Sequence, residues 1–194
     1  LCLHMPDELT FTDKILAKTL LPLIPRSVTP NSITLFRFIT IPFVGYFLTT
    51  GQYIPGLVLF FLSSFSDAVD GALARTRNQV TEWGQVHDPF ADKLLISMAV
   101  FILVTKFLNV YLTATIIGLE FFLFVGAIYR KRTQGIPIEA EISGKVKMVL
   151  QSFGIGSILL LAIFQVTAFL TVAGYLLYLA IVFAIISLIV YKSI

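Results

Sequence analysis

The sequence contains few charged residues and almost no cysteine or histidine. Of its 194 residues, 13% are charged, one is Cys and two are His, whereas 57% are hydrophobic. A soluble domain carries about 25% charged residues, and a chain of this length cannot bury so much apolar surface in one small core. The composition therefore excludes a soluble enzyme, a disulfide-rich secreted scaffold and a disordered tail. It predicts an integral membrane protein.

A small excess of basic residues, 14 Lys and Arg against 11 Asp and Glu, accompanies the low charge content. These residues concentrate before residue 31, over 75–84 and over 130–147, regions that six spans would leave on one membrane face. Because cytoplasmic loops of membrane proteins are rich in Lys and Arg, we expect a multi-pass protein of the cell membrane. Both termini would be cytoplasmic, and we expect no nucleic-acid partner.

The single cysteine and the first residues carry little information. Cys2 cannot form an internal disulfide, so cysteine usage does not indicate a redox compartment. Residues 1–4 precede Met5, and the His-Met pair resembles a cloning junction. We therefore expect residues 1–4 to be an expression remnant and residues 5–194 to form one membrane domain.

Uncharged stretches of the chain predict six membrane-spanning helices, because one span needs ~20 apolar residues. Residues 38–66 contain no charged residue and are too many for one span, and the uncharged residues 148–191 suit two spans separated by a turn. An amphipathic segment at about 8–24 predicts a helix lying in the membrane interface, with an ordinary flanking segment as the alternative. The predicted fold class is thus an all-α integral membrane protein, six transmembrane helices preceded by an N-terminal interfacial amphipathic helix. The spans are predicted at about 31–50, 55–75, 84–107, 110–130, 144–165 and 168–191.

Four aspartates stand in the predicted second and third spans, where charge is costly. An ionised carboxylate costs at least ~2.5–3.5 kcal/mol near the bilayer centre and less toward the interface. Asp67 and Asp70 are three residues apart and Asp88 and Asp92 four, so each pair lies on one helix face. Two antiparallel helices could bring the four carboxylates together.

Hard oxygen ligands of this kind suit Mg²⁺, Mn²⁺ or Ca²⁺, and two divalent ions could share the cluster. With two His and one Cys in the chain, a zinc site is disfavoured. The alternative is that the aspartates form salt bridges with Arg75, Arg77 and Lys93.

The aspartates belong to a longer pattern that resembles a known family. Gly71, Ala74 and Gly84 are small residues, which let a backbone or a ligand approach closely. The pattern DxxDGxxAR, eight residues, G, three residues, D, three residues, D is the signature of the CDP-alcohol phosphotransferases. The sequence matches it in full, at Asp67, Asp70, Gly71, Ala74, Arg75, Gly84, Asp88 and Asp92.

The resemblance implies transfer of a phosphatidyl group from a CDP-activated lipid, CDP-diacylglycerol, to an alcohol with release of CMP. It implies two Mg²⁺ or Mn²⁺ ions held by Asp67, Asp70 and Asp88 with Asp92 near them, and Asp92 as general base. It also implies an interfacial helix with six spans, and a homodimer. The residues implied to hold the CDP moiety are Gly71, Ala74, Arg75, Gly84, Asn31 and Thr34. For Asn31, helix N-terminal capping is an equal alternative.

Within the family, the chain is most similar to the phosphatidylglycerophosphate synthases. Ser143-Gly144-Lys145-Val146-Lys147 resembles a stretch of their fifth helix, which makes glycerol 3-phosphate the expected acceptor. A phosphorylated acceptor needs cationic ligands. The candidates are Arg130, Lys145, Lys147 and Arg37, against the alternatives of a purely topological basic cluster and of snorkelling by Arg37.

Leu119 stands where those synthases carry an arginine, so inositol phosphate and phosphatidylglycerol stay open as acceptors. Its neighbour Glu120 is an acid within the predicted fourth span. We expect Glu120 to support the pocket by pairing Arg37 or Arg130, with a direct functional role as the alternative. A divalent-cation transporter is the alternative from another class, although such a protein needs polar groups that reach the far side of the membrane.

Overall fold

The computed structural model describes residues 19, 21, 24–25, 28–77, 79, 82–134 and 142–192. Within these residues the chain is helical and contains no β-strand. The interfacial helix predicted at about 8–24 lies outside the described residues, apart from single positions, and so do residues 1–4. The six helices are α1 Pro30–Thr49, α2 Tyr53–Thr76, α3 Glu82–Ala99, α4 Val110–Gln134, α5 Ile142–Phe164 and α6 Ala168–Lys192.

The third helix changes its winding before it ends. A π-helical segment, Val100–Val104, follows α3 directly and leads into a last α-helical turn, Thr105–Phe107. Val100, Leu103 and Val104 of this segment are buried. The helical stretch from 82 to 107 therefore covers the region predicted as the third span.

Four helical stretches among the described residues are long and apolar enough to cross a membrane. They are Pro30–Thr49, Tyr53–Thr76, Val146–Phe164 and Ala168–Ile189, and a shorter apolar helix covers Val110–Gly126. Such continuous apolar surface is what a lipid environment requires of a helix. The protein is an all-α membrane protein, as the composition predicts.

The two faces of α1 differ in the way that helical periodicity dictates. Its exposed face carries large apolar side chains at spacings of one, three and four: Leu35, Phe36, Ile39, Phe43 and Tyr46. Its buried face is polar over the first half and apolar over the second: Thr34, Arg37, Thr40, Ile41, Val44 and Leu48. The polar half can be buried because each of its side chains meets a hydrogen-bonding partner, as an apolar environment demands.

Two tight connections join consecutive helices where the sequence predicts turns. Gly51 lies between α1 and α2 with a φ of 77°, a left-handed conformation that glycine adopts without strain. Gln165 lies between α5 and α6 with a φ of 59°. These two turns allow short loops between α1 and α2 and between α5 and α6.

The chain divides into two compact units. The first comprises Leu1–Tyr46 and Val58–Leu95, and the second comprises Phe47–Leu57 and Ile96–Ile194. In the first unit, Leu21 is buried with Ala72 and Leu73 of α2. In the second, α5 and α6 pack closely: a side chain added at Gly154 would meet Leu177 at 2.9 Å. Close approach through a small residue is the usual device for packing membrane helices.

Candidate active site

The signature residues of α2 lie on a polar stripe within the first unit. Ser63, Ser66, Asp67 and Asp70 follow one another at spacings of three, one and three, which place them on one face of a helix. Asp70 is buried, with 2% of its side chain exposed, whereas the side chain of Asp67 is 44% exposed. The stripe therefore runs from a buried carboxylate to one that is open at the surface of the protein.

Arg37 of α1 bridges the two aspartates of this stripe. Its Nη1 donates to Oδ1 of Asp67 at 2.7 Å, and its Nη2 donates to Oδ2 of Asp70 at 2.8 Å. Its Nε points to Oγ of Ser66 at 3.5 Å. The guanidinium side chain is fully buried. A buried arginine without such partners would carry an uncompensated charge, so the ion pairs explain how this residue can be buried.

Asp88 of α3 joins the same cluster through Thr34, one turn before Arg37 on α1. The hydroxyl of Thr34 donates to Oδ1 of Asp88 at 2.6 Å. Asp92 follows one turn later on α3 and is buried, with 8% of the residue exposed. One helix, α1, therefore contacts carboxylates of both α2 and α3.

The cluster is rich in negative charge. Among the described residues, the electrostatic neighbours of the Asp70 carboxylate are one cation, Arg37, and two further carboxylates, Asp67 and Asp88. No three His, Cys, Asp or Glu side chains in the described part of the chain are already arranged as ligands of one metal ion. Carboxylate oxygens are nevertheless the donors that a hard divalent cation prefers.

Three polar residues beside the cluster were not predicted from the sequence. Thr40 and Ser63 share a hydrogen bond of 3.0 Å between their hydroxyl oxygens, and the Thr40 hydroxyl also lies 2.9 Å from the carbonyl of Arg37. Ser66 donates to the carbonyl of Ser63 at 2.7 Å. The spacing of Thr34, Arg37 and Thr40, three residues each, was the signal that could have identified this face.

In the alternative interpretation of the sequence, Arg75, Arg77 and Lys93 form salt bridges with the aspartates, whereas the cation in the described ion pairs of Asp67 and Asp70 is Arg37. Arg77 instead donates to the backbone carbonyls of residues 24, 25 and 28 at 2.9–3.3 Å. It thereby ties the segment before α1 to the end of α2.

The residues predicted to hold CDP lie on α1, α2 and α3. Arg75 and Gly71 are one turn apart on α2, and the Arg75 guanidinium lies over the space that a Gly71 side chain would fill, 3.2 Å from an ideal Cβ. Ala74 is half-buried, Gly84 on α3 is buried and Asn31 is half-buried in the first turn of α1. The Arg75 guanidinium can occupy this space because Gly71 has no side chain.

The second unit contains another buried ion pair. Nζ of Lys147 on α5 lies 2.6 Å from Oε1 of Glu120 on α4, and Nε2 of Gln151 donates to the same oxygen at 3.0 Å. Lys147 and Gln151 are both about 3% exposed. Glu120 therefore does have a supporting contact, and among the side chains that the structure describes its cationic partner is Lys147 rather than Arg37.

The structure describes the side chains of two of the four residues that were predicted to bind the acceptor. Arg37 bonds Asp67 and Asp70, and Lys147 bonds Glu120. The side chains of Arg130 and Lys145 lie outside the part that the structure describes, although their backbones belong to α4 and α5. The two cations whose contacts are described are thus each bound to an acid.

The fold and this cluster define a class: an all-α membrane protein whose buried face gathers carboxylates suited to a divalent cation. Comparison with known proteins identifies the family. The family model of the CDP-alcohol phosphatidyltransferases matches residues 27–186, and the chain belongs to this family. The resemblance of the sequence signature and the prediction of an enzyme are confirmed, and members of the family generally use divalent metal ions.

Individual relatives point in the same direction. The CDP-diacylglycerol–glycerol-3-phosphate 3-phosphatidyltransferase of Aquifex aeolicus is 31% identical over 140 residues, which are 71% of this chain and 78% of the relative. The enzyme of the same name from Bacillus subtilis is 34% identical over 147 residues, 68% of this chain and 76% of the relative. A probable cardiolipin synthase (CMP-forming) of Drosophila melanogaster is 31% identical over 110 residues, 56% of this chain and 34% of the relative.

Proposed function

We propose that this enzyme transfers the phosphatidyl group of CDP-diacylglycerol to glycerol 3-phosphate and releases CMP. The observation that carries the proposal is the convergence of Asp67, Asp70 and Asp88 around one face of α1. The printed names of the bacterial relatives support glycerol 3-phosphate as the acceptor. A cation transporter has no such support, because the chain belongs to a transferase family.

The metal ligands in this proposal are the four signature aspartates, Asp67, Asp70, Asp88 and Asp92. They would hold Mg²⁺ or Mn²⁺, as two ions. When bound, these ions would neutralise the diphosphate of the donor and stabilise the charge that develops on CMP. The chemistry of the donor set supports the assignment, since hard carboxylate oxygens are the ligands these ions prefer.

Asp92 is the proposed general base. Its carboxylate would accept the proton of the acceptor hydroxyl as that oxygen forms a bond to the phosphorus of the phosphatidyl group. The bond from this phosphorus to the oxygen shared with the CMP phosphate breaks, and CMP leaves with the electron pair. A carboxylate near two cations is a weak base, so its contribution would come from its position beside the hydroxyl.

The CDP moiety would lie along the small residues of the signature. We assign Arg75, whose guanidinium lies over Gly71, to the diphosphate. Ala74, Gly84 and Asn31 complete the set. Arginine suits this role because its planar fork matches the geometry of phosphate oxygens.

The acceptor phosphate would be bound by Lys147, Lys145 and Arg130. Arg37, which the sequence also suggested for the acceptor, is not included in this proposal because both of its terminal nitrogens bond aspartates. Glu120 would support Lys147, since the 2.6 Å contact fixes the position of the ammonium group. Gln151 adds a carbonyl oxygen that is buried and has no hydrogen-bond partner among the described atoms. A substrate hydroxyl could satisfy it.

The topology that we propose has six spans, both termini in the cytoplasm and the active site at the cytoplasmic side. The clustering of basic residues supports this orientation. The acyl chains of the donor would stay in the bilayer while the polar acceptor enters from the cytosol. The family resemblance also favours a homodimer, which crosslinking in native membranes would test.

The proposed reaction is tested by measuring CMP release from purified protein with CDP-diacylglycerol and Mg²⁺ or Mn²⁺. Glycerol 3-phosphate, inositol phosphate, inositol, serine and phosphatidylglycerol would be supplied in parallel. We expect release with glycerol 3-phosphate alone. Release with phosphatidylglycerol or inositol phosphate would replace the acceptor while keeping the class of reaction, and failure with every acceptor would contradict the proposal.

The acceptor site is tested by Lys145→Ala and Arg130→Ala. Each should raise the KM for glycerol 3-phosphate and leave the KM for CDP-diacylglycerol unchanged, because each would remove a charge that binds the acceptor phosphate. Lys106→Ala is the matched control. Its ammonium lies 5.4 Å from the ring centre of Tyr53, also within the second unit, and has no role in the proposal. Unchanged KM values in both variants would exclude this pocket.

A further inference from the structure

One face of α1 presents three polar side chains to neighbouring helices of the first unit. Thr34, Arg37 and Thr40 are spaced by three residues, and all three are buried. The first two contact signature aspartates, whereas the described hydrogen bonds of Thr40 join it to the hydroxyl of Ser63 and the carbonyl of Arg37. Thr34 and Arg37 therefore bond carboxylates and Thr40 does not bond one in the described structure, so Thr40 can serve as a control for the other two.

The contact of Thr34 is directed at a carboxylate. Its hydroxyl lies 2.6 Å from Oδ1 of Asp88 and 3.3 Å from the carbonyl of Pro30. A hydroxyl has one hydrogen, and an ionised carboxylate is only an acceptor, so the hydrogen at the shorter distance belongs to the bond with Asp88. This bond holds one oxygen of the Asp88 carboxylate next to α1.

Arg37 does the same for two carboxylates at once. Its planar fork places Nη1 on Asp67 and Nη2 on Asp70, which are one helical turn apart on α2. Each hydrogen bond uses one oxygen of its carboxylate. A lysine would keep the charge but could not reproduce this rigid, two-pronged geometry.

We infer that α1 positions the acidic cluster for a divalent cation, with Thr34 orienting Asp88 and Arg37 orienting Asp67 and Asp70. Thr34 is then a positioning residue for a metal ligand rather than a contact of the nucleotide, and Arg37 is one rather than a contact of the acceptor. This inference rests on the proposed function, because it takes the aspartates as metal ligands. Residues that orient metal ligands typically change metal affinity or activity by about 10–100-fold when they are removed.

The test compares Thr34→Val with Thr40→Val. Both substitutions remove a buried hydroxyl from the same face of α1, keep the shape of the side chain and leave every charge in place. Binding of Mn²⁺ to purified protein is measured by electron paramagnetic resonance of the free ion, without donor or acceptor. We expect Thr34→Val to weaken Mn²⁺ binding by about 10-fold and Thr40→Val to leave it unchanged.

Arg37→Lys extends the test at constant charge. We expect it to weaken Mn²⁺ binding by about 10-fold or more while the KM for glycerol 3-phosphate in the residual activity stays the same. A raised acceptor KM with unchanged Mn²⁺ binding would return Arg37 to the acceptor and overturn its assignment here. If Arg37→Lys fails to give folded protein, the threonine pair still decides the inference, because those substitutions are close in shape.

The outcomes separate the inference from the function on which it rests. If wild-type protein binds Mn²⁺ and Thr34→Val binds it equally well, the inference is overturned and the metal site stands. If Thr34→Val instead weakens binding of CDP without changing Mn²⁺ binding, Thr34 is a nucleotide contact and the inference is again overturned. A wild-type protein that binds no Mn²⁺ and releases no CMP would overturn both.

Discussion

The two units of the chain each bury charge, but they balance it differently. In the first unit, three carboxylates, Asp67, Asp70 and Asp88, meet one guanidinium and one hydroxyl. In the second unit, one carboxylate, Glu120, meets one ammonium and one amide. The contacts of the first unit are rich in negative charge, whereas those of the second are neutral.

The two arrangements differ in how their charges are compensated. A buried pair of opposite charges satisfies itself and links two helices, here α4 and α5. A group of carboxylates is costly in an apolar environment unless enough positive charge binds to it. We therefore expect substitutions in the acidic cluster to change activity, and substitutions at the Glu120–Lys147 pair to change stability as well as binding of the acceptor.

The largest effect is expected from Asp92→Asn in the first unit. Loss of the general base should lower the rate of transfer by ~10²–10⁴-fold, while the variant stays folded and still binds CDP-lipid. CMP release and a lipid-binding assay on the same preparation measure the two properties. Normal turnover would show that Asp92 is not the general base. Loss of folding would show that Asp92 is needed for the structure.

The second largest effect concerns the ion pair of the second unit. Glu120→Leu should lower the free energy of unfolding by ~3–5 kcal/mol, because it leaves Lys147 buried without its counter-charge. The double substitution Glu120→Leu with Lys147→Met should recover most of this loss, since it removes both charges. Unfolding in detergent, followed by circular dichroism, measures both variants. Equal stability of the single and double variants would show that the pair does not serve structure.

A third prediction tests helix packing in the second unit. Gly154→Ala should lower the free energy of unfolding by ~1–3 kcal/mol, because the new methyl group would meet Leu177 at 2.9 Å. Gly118→Ala on α4 is the matched control, since nothing lies within 4 Å of a Cβ built there. The same unfolding assay compares the two. A stable Gly154→Ala variant would mean that α6 can shift without cost.

The smallest effect is expected from Gly71→Ala in the first unit. A Cβ at this position would stand 3.2 Å from Nη2 of Arg75, so the guanidinium must move by a few tenths of an ångström. If one hydrogen bond to the diphosphate weakens, the loss is ~1 kcal/mol, or roughly fivefold in the KM for CDP-diacylglycerol. Steady-state kinetics measure this change, and the KM for the acceptor is the internal control. A change confined to the acceptor would contradict the assignment of Arg75.

Much of the fold could be predicted because it depends on local properties of the chain. Uncharged stretches and the turns at Gly51 and Gln165 set where the helices begin and end. The largest difference is in α4, which continues to Gln134 rather than ending near residue 130. The π-helical segment Val100–Val104 could not be predicted, because nothing in its apolar sequence distinguishes it from an α-helix.

The contacts of the predicted site residues could not be read from the sequence. The signature spacing identifies the aspartates because a helix places residues three and four apart on one face. The partner of Asp67 and Asp70 is 30 or more residues away, at Arg37 on another helix. The partner of Glu120 is likewise distant, at Lys147 on α5. Such pairings depend on which helix faces which, and spacing along the chain does not carry that information.

Composition, uncharged stretches and helical spacing were enough to predict the membrane class, the positions of the helices and the acidic residues of the signature. These follow from the cost of moving charge into lipid and from the 3.6-residue period of a helix, and both act on near neighbours. The packed helices were needed to see that Arg37 pairs aspartates, that Thr34 bonds Asp88 and that Glu120 bonds Lys147. A buried charge takes the partner that helix packing brings within hydrogen-bonding distance, and residues far apart in sequence meet only once the helices have packed.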